Sequence, residues 1–355
     1  MIQTHGIVPR APAISVVLPV FNAEIYIAEA VRSILNQTFR DFEFIIINDG
    51  STDNTFQILS DMEALDPRIV LVSRANKGIP ATLNEGISLA CGKWIAIMNA
   101  DDIALPIRFE RQMEWLAQTG ADICGAWVKF FGTADQRILR HPKSDQAIKV
   151  GLMFGSMFAQ PTVMVKAVLV KKLLYNEAYP VAEDYDLWVR GAQAGWVMTN
   201  VQEVLLLYRQ HKTQISTVGS PNMLALSQNI RLRRWECIFE SFGLQKVWID
   251  EVLKLREPTL SKPSMDVVDK VFDLLLERYH GETRATIFYH MTRLYLRAAG
   301  DCPDAVFRWS RLNRSYGVTR GIGVHCQLLL LSLLRIRTDS GFFQILKQVY
   351  FQLRA

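Results

Sequence analysis

The chain has 355 residues, 50% of them hydrophobic and 21% charged, which is the composition of a globular protein with a buried core. Its five cysteines are odd in number, widely spaced and free of CxxC pairs, which argues against a disulfide framework or a zinc finger. The amino terminus lacks the basic-then-apolar pattern of a signal peptide, and no run of about 18 apolar residues occurs. These features predict a cytoplasmic protein.

The net charge of +5 is unevenly distributed. Residues 1–219 carry 20 Lys and Arg against 22 Asp and Glu, whereas residues 220–355 carry 20 against 13. Residues 305–355 carry 8 against 1 beside the most apolar segment, a mixture typical of a helix at the inner face of a membrane. A buried helical hairpin with solvated arginines, or a homodimer contact, explains the same pattern. The basic residues are dispersed and no recognition motif occurs, so nucleic acid is not an expected partner.

The first part of the chain alternates predicted strands and helices at the spacing of βαβ units, which favours a parallel sheet. Apolar, β-branched runs predict the strands, and apolar residues at helical spacing predict the helices. The predicted strands are 14–20, 42–47, 69–72 and 94–98, and the predicted helices are 23–37, 54–64, 81–90 and 108–118.

A β-rich stretch at 123–131, a polar loop at 141–145, a helix at 183–194 and a strand at 204–208 follow in that order. The composition changes after Ser220-Pro221, and the rest of the chain is predicted to be helical. The sequence therefore predicts an α/β domain over residues 1–219 and a helical domain over 220–355. The helices predicted in the second domain include 223–242, 266–278, 284–299 and 303–315.

Acidic turns follow two of the predicted strands. Asn48-Asp49-Gly50-Ser51 follows the second strand, and Asn99-Ala100-Asp101-Asp102 follows the fourth. Both turns lie at strand carboxyl ends, where sheets of this kind bind ligands, so they should face one crevice. The Asp49 carboxylate is suited to a ribose or a base, although an Asx-turn cap explains it equally well. The clustered carboxylates of the second turn suit a divalent cation under a diphosphate, or a helix cap for Asp102.

A third acidic cluster, Glu183-Asp184-Tyr185-Asp186, opens a predicted helix. The helix dipole keeps a carboxylate at an amino terminus ionised, which suits a general base that accepts a proton from an attacking hydroxyl. Three acids within four residues exceed what helix capping requires.

The three clusters lie within motifs that resemble the family 2 glycosyltransferases, nucleotide-sugar enzymes of the GT-A fold. The opening of that family is similar to ISVVLPVFNAEIYIAEAVRSILNQTFRDFEFIIINDGSTDNT. The resemblance continues, in order, in NKGIPATLNEGISLACGKWIAIMNADD, AEDYDLWVR and YRQHKTQIS. It spans residues 13–217, and residues 220–355 resemble no family. It implies an α/β, Rossmann-like GT-A fold, with a mixed, mostly parallel sheet and flanking helices, followed by an all-helical carboxyl-terminal region.

The resemblance implies a role for each matching position. Asp184 of the Glu183–Asp184 pair matches the catalytic base of inverting members. Asp101 matches the last acid of the DxD motif, which binds Mn²⁺ or Mg²⁺ under the diphosphate, and His211 is a second expected metal ligand. The positions that match donor and nucleotide contacts are Pro19, Phe21, Asn22, Asp49, Asn84, Asn99, Ala100 and Arg209.

Two positions depart from the family pattern. The first acid of the DxD motif is Asn99 here, which loses a charge and predicts weaker metal binding that depends more on Asp101 and Asp102. The common His-Pro is replaced by Gln160-Pro161, so the acceptor pocket is expected to differ. Trp188, on the helix of the predicted base, is assigned to the acceptor side or to the core.

The sequence therefore predicts an inverting, metal-dependent transferase that uses a nucleotide sugar, by family habit a UDP-sugar, and a saccharide or lipid-linked saccharide acceptor. Two alternatives come from other classes. A catalytically degenerate binding scaffold would have lost Asp101 or Asp184, and both are present. A nucleotidyltransferase would place a Gly-rich phosphate-binding loop after the first strand, where Pro19-Val20-Phe21-Asn22 stands instead.

Overall fold

The computed structural model describes residues 11–211, 214, 221–243, 245–256, 262–316, 322–336 and 343. The chain divides into two compact units. The first combines residues up to Asp145 with Ser156–Ser227, and the second combines Gln146–Gly155 with the residues from Gln228 onward. The predicted domain boundary after residue 219 lies outside the described residues, so the division into 1–219 and 220–355 stays a prediction.

The first unit begins with four parallel strands joined by helices. The first strand, β1, pairs with β2 on one side and β4 on the other, and β3 pairs with β2. The strands are nearly continuous apolar runs because helices cover both faces of such a sheet. The strands are β1 (Ile14–Val20), β2 (Phe42–Asn48), β3 (Ile69–Ser73) and β4 (Trp94–Ile97), and the helices are α1 (Ile27–Leu35), α2 (Thr55–Glu63) and α3 (Ile79–Leu89).

The chain then adds strands that run in both directions. The next five strands are β5 (Ile103–Ala104), β6 (Ile123–Phe131), β7 (Ile138–Leu139), β8 (Met164–Lys166) and β9 (Met198–Arg209). The strand β8 pairs antiparallel with β4 and β6, β9 pairs parallel with β6, and β5 pairs antiparallel with β9. The strand order is β3-β2-β1-β4-β8-β6-β9-β5, with β7 paired to β6. This mixed sheet with flanking helices confirms the predicted α/β class.

Four further helices follow along the chain, and one local expectation needs revision. The strand predicted at 204–208 begins earlier, at Met198, because residues 198–201 pair with β6 before a register shift near Trp127. The polar loop predicted at 141–145 is present, and a helix begins at its last residue. The helices are α4 (Arg108–Thr119), α5 (Asp145–Gly151), which from Gln146 onward belongs to the second unit, α6 (Ala167–Leu173) and α7 (Glu183–Gln193).

The rest of the described chain is helical, as predicted. The helices of the second unit surround a core of large side chains that includes Trp235, Phe272, Phe288, Tyr295 and Trp309. Among the helices that the structure describes, none has the length and apolar character needed to cross a membrane. The helices are α8 (Pro221–Glu240), which begins in the first unit, α9 (Val247–Lys254), α10 (Met265–Arg278), α11 (Gly281–Ala298), α12 (Ala305–Tyr316) and α13 (Ile322–Leu334).

Candidate active site

The turn after β2 holds the Asp49 carboxylate in a buried position, with 4% of the residue exposed. The backbone N–H groups of Lys77 and Gly78 donate to its two oxygens at 2.8 and 3.0 Å. Gly50 has a φ of 74°, and a Cβ atom there would lie 2.7 Å from a backbone nitrogen of the facing loop. Only glycine allows so close an approach. Asp49 therefore joins the β2 turn to the facing loop, and its contact with a nucleoside stays a prediction.

Arg74 completes this arrangement, and the sequence motifs did not identify it. Its guanidinium forms an ion pair with Asp49 and donates to Glu85 at 2.7 Å and to the Thr82 hydroxyl at 3.0 Å. Burial alone would raise the pKa of the Asp49 carboxyl, but the hydrogen bonds from Lys77 and Arg74 outweigh it and hold that pKa below its ordinary value. Asp49 is therefore an ionised hydrogen-bond acceptor at neutral pH.

The other predicted nucleoside contacts lie at the end of β1, beside this turn. Pro19 is the penultimate residue of the strand, and the Phe21 ring that follows is 51% exposed. Asn22 has a φ of 48°, and hydrogen bonds join it to the β2 turn. Its N–H donates to the Ser51 hydroxyl at 2.9 Å, and its side-chain oxygen accepts from the Thr52 N–H at 2.8 Å. The ends of β1 and β2 therefore form one surface.

The second acidic turn meets the end of β9, because the short strand β5 pairs antiparallel with β9 directly after the turn. The Asp101 carboxylate lies 3.0 Å from Nε2 of His211. The Tyr26 ring packs against the imidazole with 5.0 Å between centroids. Two residues that are 110 positions apart thus come together, as their assignment to one site requires.

Asp102 and Asn99 form the inner layer of the same turn. Asp102 is fully buried and accepts hydrogen bonds from the Arg209 N–H at 2.8 Å and from the Asn99 amide at 3.1 Å. Burial, together with the charge of Asp101, raises the pKa of Asp102 well above its ordinary value. The neighbouring Ala100 packs against the core. The Asn99 amide therefore donates to a buried carboxyl, which a carboxylate at position 99 could not do.

The residues of this turn fit a divalent cation that also binds substrate. Asp101 offers a carboxylate oxygen, which suits Mn²⁺ or Mg²⁺, and His211 offers an imidazole nitrogen, a ligand more typical of transition metals. Across the described residues, no group of three or more His, Cys, Asp and Glu side chains converges on one point. Mg²⁺ commonly takes one or two protein carboxylates and completes its shell with phosphates and water. Two protein ligands therefore suffice for an ion that binds together with a diphosphate.

Arg209 is held firmly in this region. Its guanidinium donates to the Asp101 carbonyl at 2.7 Å and forms an ion pair with Glu29. The same group stacks on the Tyr26 and Phe131 rings, 4.7 and 4.4 Å from their centroids. These contacts connect α1, the acidic turn and β9. A direct contact of Arg209 with the donor stays a prediction.

The third acidic cluster begins α7, where Ala182 takes the left-handed conformation with a φ of 71°. Burial and the neighbouring Asp184 raise the pKa of Glu183 to about 8. Burial raises the pKa of Asp184 to about 6, although the Tyr185 backbone N–H favours its charged form. Asp186 differs from these two, because it forms an ion pair with Arg190 at 2.6 Å within the same helix. The two adjacent carboxyls are therefore perturbed in a way that is common at catalytic sites.

The remaining predicted residues lie near this pair or behind it. The Asn84 side chain donates to the Tyr175 carbonyl at 2.9 Å and accepts from its N–H at 2.8 Å, so it anchors the loop before α7. Trp188 is fully buried on α7. The Gln160 side chain favours the charged form of Glu183 by hydrogen bonding. The individual roles of these residues stay predictions.

Comparisons with known proteins identify the family of this chain. Residues 15–165 match the family model described as Glycosyl transferase family 2. An uncharacterized glycosyltransferase of Haemophilus influenzae is 31% identical over 295 residues, which cover 78% of this chain and 89% of that protein. The O-antigen biosynthesis glycosyltransferase WbnJ of Escherichia coli is 32% identical over 208 residues, or 56% of this chain and 80% of that protein. The family model and these relatives thus define a glycosyltransferase. The chain belongs to glycosyl transferase family 2, as its motifs indicated.

Solved structures show the same architecture. The crystal structure of S. aureus TarS 1–349 in complex with UDP-GlcNAc matches with a TM-score of 0.54 at 15% identity, over 85% of this chain and 90% of that one. The likeness at this identity concerns the fold alone, and it confirms the predicted GT-A fold.

Proposed function

We propose that this glycosyltransferase moves a sugar from a nucleoside-diphosphate donor, expected to be a UDP-sugar, to a hydroxyl of a saccharide or lipid-linked saccharide, with inversion at the anomeric carbon. The Asp184 carboxyl carries the proposal, because burial at the start of α7 raises its pKa to about 6. A base with a pKa near the working pH is ionised and still accepts a proton readily. Burial raises the pKa of Glu183 as well, and the charge of Asp184 raises it further, so the two adjacent carboxyls titrate as a pair.

The transfer proceeds by displacement. Asp184 accepts the proton of the acceptor hydroxyl as the oxygen attacks the anomeric carbon from the face opposite the diphosphate. The bond from that carbon to the diphosphate oxygen breaks, and the oxygen leaves with the electron pair. Asp49, ionised and fixed by two backbone N–H groups, accepts hydrogen bonds from the nucleoside. Asp101 and His211 would hold the divalent cation, which when bound neutralises charge on the departing diphosphate.

Substitution of Asp184 tests the base. We expect Asp184→Asn to lower kcat by about 10²–10⁴-fold, because an amide cannot accept the proton. Binding of the nucleoside diphosphate should be unchanged, since Asp49 lies on a different element. Glu183→Gln is the matched comparison, because it removes the neighbouring carboxyl and leaves the proposed base in place, so it should cost less than Asp184→Asn. A rate for Asp184→Asn close to that of the wild type would remove Asp184 from this role.

A thermal-stabilisation screen tests the donor and the metal. Nucleotide sugars that differ in base and sugar are compared with and without Mn²⁺, and transfer or hydrolysis of the best binder is then measured. Asp101→Asn and His211→Asn should reduce the stabilisation that depends on Mn²⁺ and leave the metal-independent part. Full activity in excess chelator would contradict the proposed metal dependence. The relative WbnJ, named for O-antigen biosynthesis, supports a saccharide acceptor.

Contact of residues 305–355 with a membrane is a further part of the proposal. In α13, Leu329, Leu330, Leu333 and Leu334 are 41–73% exposed, and a helix with such a face can insert at a membrane surface. The 8-to-1 basic excess of this region favours anionic lipid. Sedimentation with anionic vesicles tests the contact, and no binding by the intact chain would refute it. A homodimer through the same face stays the alternative prediction, and it would be recognised by light scattering.

A further inference from the structure

Two buried donors adjoin the Glu183–Asp184 pair and have no hydrogen-bond partner among the described residues. They are Nε1 of Trp188 and the hydroxyl of Tyr175. Trp188 is 0% exposed and Tyr175 is 3% exposed. Leaving a buried donor unpaired costs about 1–3 kcal/mol, so such groups in a folded protein call for an explanation. The adjacent carboxyls supply one.

Trp188 is placed to serve Asp184. The two residues are four positions apart on α7, and helical side chains lean toward the amino terminus, so the indole extends toward the Asp184 carboxylate. The Phe158 ring packs against the indole edge to face, with 5.5 Å between centroids, and restricts its rotation. The indole N–H favours the charged form of Asp184. An indole donates but does not accept, so it cannot compete for the proton that Asp184 must take.

The loop before α7 is held in place by contacts with two helices. Tyr175 is fixed because Asn84 binds its backbone N–H and carbonyl. Arg190 donates to the two preceding carbonyls at 3.0 and 2.7 Å and anchors the same segment to α7. Helices α3 and α7 thus fix the loop that leads into the Glu183–Asp184 pair.

We propose that Trp188 is a positioning residue for sugar transfer: its indole N–H holds the Asp184 carboxylate. Asp184 then keeps one orientation, turned toward the acceptor. The inference rests on the proposed role of Asp184. It reassigns Trp188 from the acceptor side to orienting the base.

The test compares Trp188→Phe with Trp196→Phe. Both changes remove an indole N–H from a buried ring that packs on α7, since Trp196 contacts Gly191 of that helix. We expect Trp188→Phe to lower kcat by about 10-fold to 100-fold, because a displaced catalytic group loses that much, with an unchanged KM for the donor. The acidic limb of its pH profile should move to higher pH, since the charged form of Asp184 loses a donor. Trp196→Phe should change neither property.

A second measurement needs neither donor nor acceptor. A carboxyl whose pKa is raised by folding is stabilising below its unfolded pKa, and that contribution is lost as pH rises through the folded pKa. The midpoint of thermal unfolding should therefore fall with rising pH across the titrations of Asp184 and Glu183. Trp188→Phe should move this fall to higher pH, because the charged form of Asp184 loses a donor, and Trp196→Phe should leave it in place.

The outcomes separate the two proposals. If Trp188→Phe matches Trp196→Phe in rate, pH profile and unfolding, Trp188 only packs and the inference is overturned. A lower rate with an unshifted pH profile also overturns it, because that result reports general damage. If instead Asp184→Asn keeps full activity, the proposed base is wrong, and a shifted unfolding curve for Trp188→Phe would still show that Trp188 acts on the carboxyl pair.

Discussion

Replacing Arg74 with methionine tests whether the β2 turn is an electrostatically supported site. Arg74 joins Asp49, Glu85 and Thr82, and its side chain is 14% exposed beside an Asp49 side chain that is 6% exposed. Methionine keeps much of the apolar stem and removes every donor. Asp49 would keep only the N–H groups of Lys77 and Gly78.

The expected cost follows from this geometry. Removing one partner of a buried ion pair destabilises a protein by about 3–5 kcal/mol. Two backbone donors remain on Asp49, and Glu85 is partly solvated, so we expect the smaller loss of about 2–3 kcal/mol. In a unit of this size each kcal/mol lowers Tm by about 2–4 °C, which gives a decrease of about 4–12 °C.

The assay is thermal unfolding with and without nucleoside diphosphates. The matched control is Arg68→Met, which breaks a more exposed pair with Asp66 and should cost less than about 1 kcal/mol. The pKa of Asp49 is lowered by folding, so its contribution is fully present above its ordinary pKa and is lost as pH falls through the folded value. Arg74→Met should therefore lose less stability on acidification than the wild type. The nucleotide should also stabilise this variant less.

A loss for Arg74→Met no larger than that for Arg68→Met would refute the reasoning. It would mean that the two backbone N–H groups suffice for Asp49. If every nucleoside diphosphate that binds the wild type stabilises Arg74→Met to the same extent, Asp49 does not belong to the nucleotide site.

Three further predictions concern other residues of the candidate site. Asn99→Asp removes the donor that lies 3.1 Å from the buried Asp102 carboxyl and adds a negative charge beside Asp101. Unfolding should then occur at lower temperature at neutral pH, and Mn²⁺ should restore part of the loss; a more stable variant would contradict this. The rate constant kcat/KM should decrease below a pH of about 6, as Asp184 takes up a proton, and a profile flat to pH 5 would exclude this base. Asn84→Ala removes two hydrogen bonds to Tyr175 and should cost about 1–3 kcal/mol with unchanged nucleotide binding; weakened binding would support the predicted donor contact instead.

Much of the fold follows from local pattern. The strands at Ile14–Val20 and Phe42–Asn48 and the helices after them lie within a few residues of their predicted bounds. A parallel strand buried on both faces reads as an apolar run, and an amphipathic helix shows its period in any context, so both are visible without tertiary contacts. The short strands β5 and β7 have no such pattern, because two residues are too few to show alternation.

The sequence by itself determined the family, the acidic turns and their placement at strand ends. Only the tertiary structure decided which atoms meet. The pairing of β5 with β9 places Asp101 beside His211. It also buries Asp102, and the Asn99 amide donates a hydrogen bond to that buried carboxyl. Arg74 carries no motif of its own, because its importance comes from the buried charge that it faces. A linear pattern records which groups are available, whereas burial and distance determine their charge and their partners.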